Sequence, residues 1–169
     1  MNPDAPEVFD APLEVQLAAF VDQHRQMLAG LLDGVDEREA RTVLVPSKTT
    51  LLGLVKHAIF VERVWFEEAV TGRSRSELGL QAEPDESFDL CPEDTIVSVA
   101  EAYRATVARS RSAVEGLTMD DVLTGNRRGP LPLRWVYLHV LRELAQHCGH
   151  GDILKEQLIA RRDLGPAGD

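Results

Sequence analysis

The sequence predicts an all-α protein, a four-helix bundle with a long crossover between its second and third helices. Three observations carry this. Four stretches repeat apolar residues at the three- and four-residue steps of a helix, and no stretch alternates apolar and polar residues as a half-buried strand does. Between the second and third stretches, residues 72–92 are rich in Gly, Ser, Pro and acids and keep no period at all.

The first helix is expected over residues 13–33, with Leu13, Leu17, Phe20, Met27, Leu28 and Leu31 at helical spacings and Gly34 as its stop. Residues 36–45 add a short helical turn that Pro46 closes, and Ser47 or Thr49 caps the second helix. That helix runs to about Val70. Its apolar face is Leu51, Leu54, Val55, Ala58, Val61, Val64 and Trp65, His57 shares that side, and Thr71 with Gly72 ends it. The crossover at 72–92 is long enough to let the second and third helices run parallel. Pro92, Glu93 and Asp94 read as the acidic first turn of the third helix, which carries Ile96, Val99, Ala100, Tyr103, Val107 and Val114 and ends near 115, before Gly116. An irregular entry at 125–132 precedes the fourth helix, from Leu133 to about Ala160, and the tail from Arg161 is expected to be loose. Gly149 and Gly151 lie inside that last helix. Each costs up to about 1 kcal/mol relative to alanine there, which points to close packing or ligand approach beside His150.

A chain of 169 residues, 44% of them hydrophobic, fits one domain spanning 1–169 with a sizeable core. The net charge of −10 argues against nucleic acid, whose binding needs clustered cations. The opening MNPDAPEVFDAP has neither a cationic start nor an apolar run, and no stretch is long enough to span a bilayer. A cytoplasmic protein without membrane partners is the expectation. Cys91 and Cys148 are too few for a disulfide framework, and Cys148 reads as a small core thiol.

The chemistry lies on the fourth helix. His139, Glu143, His147 and His150 fall within an arc of about 80° on an otherwise mostly apolar segment. Imidazole with carboxylate suits a divalent transition ion, and polar groups lodged on an apolar face need a partner. Taken singly, each histidine reads as a hydrogen-bonded core residue. Together, facing the helix that holds His57, they read as a metal site. His57, Glu143 and His147 form a three-ligand set that leaves a position open for water or substrate, with His150 as a fourth ligand or a proton carrier. His139, a turn earlier, suits a supporting or structural role. Arg127, Arg128 and Arg134 either form a cationic rim for an anionic substrate or a solvated basic loop. Glu62, Glu67 and Glu68 read as the solvated face of the second helix, His24 as exposed, and Trp65, Trp135 and Tyr137 as packing anchors. No nucleophile elbow and no glycine-rich phosphate loop is present in the sequence.

The stretches PSKTTLLGLVKHAIFVERVWF and LRWVYLHVLRELAQHCGHGDILKE resemble the DinB/YfiT-like superfamily, within its mini-circle protein branch. The resemblance covers nearly the whole chain. It implies a bundle that binds a divalent metal, often zinc or nickel, through one histidine of the second helix and a pair four residues apart on the last. His57 matches the first position. Glu143 with His147 is similar to the glutamate–histidine form found in thiol-dependent maleylpyruvate isomerases, while His150 could replace Glu143 in the set. The resemblance further implies a transferase or isomerase that uses a low-molecular-weight thiol such as mycothiol or bacillithiol on a small electrophile. Glu143 or His150 would then carry the proton. Related bundles often dimerise, so a homodimer is expected. A metal- or ligand-binding stress protein without turnover and a metal-dependent hydrolase are the competing readings.

Overall fold

The computed structural model of the chain describes residues 8–163. Its helices are α1 (Leu13–Gly30), α2 (Glu37–Ala40), α3 (Leu51–Glu62), α4 (Ala69–Thr71), α5 (Ile96–Ala113) and α6 (Leu133–Asp163). A π-helical stretch, Arg63–Glu68, joins α3 to α4 without a break, and a 3-10 helix, Pro84–Phe88, lies in the crossover. The all-α class predicted from periodicity is what forms. One feature escaped it: β1 (Val122–Leu123) and β2 (Leu131–Pro132) pair antiparallel, Val122 opposite Pro132 and Leu123 opposite Leu131. Two-residue strands are too short to leave an alternation in the sequence.

Pairs of neighbours fix the directions of the helices. His57 and Trp65 of the α3 segment meet His147 and His139 of α6 in that order, so the two run antiparallel. Lys56 pairs with Asp94 just before α5, while Thr71 lines a cleft with Ala113 at the end of α5, so α3 and α5 run parallel, as the crossover allows. α1 lies along α6, where Gly151 admits Leu31: a Cβ on that glycine would sit 2.3 Å from Leu31 Cδ1. Close packing therefore accounts for Gly151. Gly149 has open space around it.

α3 is apolar on the expected face, yet Leu52, Gly53, Phe60 and Glu62 are buried as well, because α1, α5, α6 and the crossover surround it. Gly53 lets the crossover settle on the helix, since a Cβ there would lie 3.2 Å from the Phe88 carbonyl oxygen.

Several local expectations are corrected. The buried line of α1 is Leu17, Val21, Arg25 and Leu28, while Leu13, Phe20 and Met27 are exposed. Thr50, not Ser47 or Thr49, caps α3, accepting from the Gly53 N–H at 3.0 Å. Ser47 and Thr49 bond to each other instead. α5 starts at Ile96 behind a reciprocal Thr95–Ser98 cap, and Asp94 precedes it in a turn, accepting from the Cys91 N–H at 2.7 Å. The last helix continues to Asp163, past the point where a loose tail was expected, and residues 164–169 lie outside the described ones.

The largest correction concerns the carboxylates of the second helical segment. Glu62 and Glu68 are buried, not solvated, because each meets a guanidinium. Arg25 reaches Glu62 through Nε and Nη2, both at 2.8 Å, and Arg75 Nε lies 3.1 Å from Glu68. Glu67 stays half-buried beside Arg63. Among the described residues no helix is long and apolar enough to cross a membrane.

Candidate metal centre

His57 sits nearly two turns into α3, buried, and its ring is held by the crossover. Phe88 lies parallel to it, centroids 4.0 Å apart and planes 12° off. Nδ1 is 2.6 Å from Ser87 Oγ, whose own hydroxyl donates to the Pro84 carbonyl at 2.5 Å. With the Ser87 proton committed to Pro84, Ser87 Oγ accepts from the Nδ1–H of His57. That hydrogen-bond network assigns the tautomer and leaves the Nε2 lone pair free. A ligating histidine is oriented through its second nitrogen in this way. Ser87 leaves no signal in the sequence because it lies in an aperiodic stretch.

Glu143 and His147 stand one turn apart on α6. Glu143 Oε1 lies 3.6 Å from His139 Nε2 and 3.1 Å from the Arg142 guanidinium, and Oε2 lies 3.8 Å from His147 Nε2. One ligand atom from each of His57, Glu143 and His147 lies within 4.8 Å of the others. Tetrahedral zinc with nitrogen and oxygen ligands needs about 3.3–3.5 Å between them, a separation that small side-chain rotations reach.

The decisive observation is His147. Both of its ring nitrogens are buried and have no hydrogen-bond partner among the described residues. Leaving such a group unsatisfied costs about 1–3 kcal/mol, and a cation bound to one of its nitrogens would offset part of that cost. The donor set therefore fits a divalent ion. Protonation states agree with it. Burial, then the neighbouring His147, pushes His57 down to about 3. Burial likewise lowers His147, against the pull of Glu143. Neutral imidazole is the ligating form.

The other predicted residues fall in different places. His139 is packed face to face on Trp135, at 5.0 Å and 9°, and lies 4.1 Å from Trp65. Its Nδ1 accepts from Arg142 at 3.0 Å, so it braces Glu143 from outside the set. Burial lowers its pKa too. His150 does not join the group: it lies about 10 Å along α6 from Glu143, beyond His147, and it is exposed beside Val45, Ser47 and Thr49. Neither a fourth ligand nor a replacement for Glu143 is found there. Cys148 is buried, its thiol directed to the His24 carbonyl.

Arg127 and Arg128 border a cavity of about 240 Å³ that His57 and Glu143 also line. Arg134 does not, because it pairs with Asp120. Arg75 and Arg142, not anticipated from the sequence, complete the basic wall. A larger cavity of about 390 Å³ lies between α3 and α5, lined by Lys56, Arg63 and Ser98. It shares Phe60 and Ser87 with the surroundings of the centre but none of the three ligating side chains, so the chemistry belongs to the smaller cavity.

A family model described as mycothiol-S-transferase matches residues 16–160. No curated protein matches the chain in sequence. Among solved structures, a conserved protein from Enterococcus faecalis is similar, with a TM-score of 0.64 and 14% identity over 88% of this chain and 98% of that one. At that identity the likeness shows the shared fold.

Proposed function

The chain belongs to the mycothiol-S-transferase family of the DinB/YfiT-like superfamily, and from that premise we propose that it is a metal-dependent S-transferase joining a low-molecular-weight thiol to a small electrophile. The unpartnered His147, facing His57 and Glu143, is the observation that carries this reading. His57, Glu143 and His147 would hold a zinc or nickel ion, which would favour the thiolate form of the thiol at neutral pH.

The remaining steps fall to side chains of the protein. Ser87 and Phe88 hold the His57 ring so that Nε2 faces α6. Glu143, braced by Arg142 and His139, takes the thiol proton. The sulfur then forms a bond to the electrophilic carbon while the leaving group departs with its electron pair. Phe60, Val61 and Val64 line the cavity and keep water from competing.

The test is consumption of a haloalkane electrophile with mycothiol, with cysteine and with no thiol, in metal-loaded wild type and in His147→Ala. Turnover that needs thiol and is lost in the variant supports the proposal. Turnover without thiol points to a hydrolase, and tight binding without turnover to a binding protein.

A further inference from the structure

Four arginines, Arg75, Arg127, Arg128 and Arg142, border the cavity beside the centre, in a chain whose net charge is −10. Three have carboxylate neighbours. Arg75 lies 3.1 Å from one oxygen of Glu68 and Arg127 lies 3.8 Å from the other, while Arg142 reaches Glu143 at 3.1 Å. Two carboxylates thus answer four guanidiniums, and the wall keeps a surplus of positive charge. That surplus is concentrated at Arg128, which enters no ion pair among the described residues.

Arg128 is nonetheless held in place. Its guanidinium carbon lies 5.9 Å from the ring centroid of Trp65 and 6.0 Å from that of Trp135, at the outer reach of cation–π attraction. Its backbone N–H donates to Asn126 Oδ1 at 2.9 Å, and Asn126 is buried. The loop is docked on the end of the second helical segment: Gly125 N–H donates to the Ala69 carbonyl at 3.1 Å. A Cβ on Gly125 would lie 2.3 Å from the Glu68 carbonyl oxygen, so only glycine allows that approach. Both Arg127 and Arg128 are exposed at the mouth of the cavity, on a loop whose backbone is fixed by these contacts.

A guanidinium that rests on indole faces keeps its planar fork of donors for a planar acceptor. We propose that this mouth is a carboxylate-binding subsite: the electrophile carries a carboxylate that Arg128 holds, with Arg127 beside it, turning the reactive carbon toward His57, Glu143 and His147. The role in the reaction rests on the S-transfer reading above. The binding of a carboxylate does not.

Trp65 and Trp135 are the only two tryptophans of the chain, so intrinsic fluorescence reports on this subsite directly. The protein is titrated with succinate, succinamide and inorganic phosphate at constant ionic strength, as wild type, R128Q and R128K. Succinate is expected to give a saturable change, with affinity at least about tenfold weaker in R128Q and partly recovered in R128K, equivalent to a loss of about 1.4 kcal/mol or more. Succinamide is expected to give none. The inference is overturned if succinate gives no saturable change, if succinamide matches it, if phosphate binds more tightly than succinate, or if R128Q binds succinate as wild type does. A second readout compares S-alkylation of the small thiol by iodoacetate and by iodoacetamide, in which the S–C bond forms as iodide leaves with the electron pair. The preference for iodoacetate should fall about tenfold in R128Q, through KM, and an unchanged preference contradicts the subsite. If neither reagent is consumed while succinate still binds through Arg128, S-transfer fails and the subsite stands.

Discussion

The imidazoles of His57 and His147 meet edge to face between α3 and α6, with centroids 4.7 Å apart and planes at 76°. Neither ring bonds to the other. Burial holds both in the neutral form, so two lone-pair donors are brought together in the protein interior beside one carboxylate. A shared acceptor of those lone pairs, a divalent cation, gives that juxtaposition a physical reason.

Ser87→Ala should weaken zinc binding by about 10–100-fold, because His57 loses the acceptor that fixes its tautomer and ring orientation. Competition against a chromophoric chelator measures it. Equal affinity in the variant and wild type would show that Ser87 does not orient the ring.

The buried pair of Arg25 and Glu62 should behave as a structural device, independent of the metal. Burial opposes the charge on Arg25, yet Glu62 and Asp22 keep its pKa above the ordinary guanidinium value. Arg25 would keep Asp22 without Glu62, but removing Arg25 strands the fully buried Glu62, so Arg25→Met should cost about 3–5 kcal/mol of unfolding free energy. The double change of Arg25→Met with Glu62→Leu should recover most of it. Urea denaturation decides, and a single variant as stable as wild type would contradict the account.

The two glycines of α6 should respond in opposite directions. Gly149→Ala meets nothing within 4 Å and should stabilise by about 0.5–1 kcal/mol through helix propensity. Gly151→Ala meets the buried Leu31 and should destabilise by about 1–3 kcal/mol. Thermal midpoints that shift the same way for both would refute the packing argument.

Acid should weaken the metal-free protein in a defined window. In the unfolded chain His57 titrates near 6.5, while in the folded state burial, then His147, holds it at about 3. Above 6.5 neither state is protonated and this residue makes no difference. Below it the unfolded chain takes up a proton that the folded state refuses, so stability falls as pH drops toward 3. His147 and His139, lowered in the same direction, steepen the decline. Urea midpoints of chelator-treated protein between pH 7.5 and 5 check this. A midpoint that rises as pH falls through 6.5 would reverse the sign.

Much of the fold is legible in the sequence because helical periodicity survives in α1, α3, α5 and α6. What periodicity loses is polar residues obeying an apolar rhythm. Arg25 sits four residues after Val21 and three before Leu28, on the buried line of α1, and its carboxylate partner lies 37 residues away on another helix. Nothing local reports such a pair, so Glu62 reads as solvated. For the site, the i, i+4 spacing of Glu143 and His147 and the apolar surroundings of His57 are visible in one dimension. Ser87 and the docked loop that carries Arg128 are not, since both depend on aperiodic segments whose place is set by close approach at Gly53 and Gly125. His150 shares the stripe but not the site, because it lies about 10 Å along α6 from Glu143, beyond His147, where the helix face is exposed.

Elemental analysis of the protein purified without added metal, beside His57→Ala and His147→Ala, tests the central claim most directly. The account predicts about one divalent transition ion per wild-type chain and loss of that ion in both variants. A wild-type chain that holds none and takes up none when zinc is supplied, or variants that retain as much metal as wild type, would contradict it.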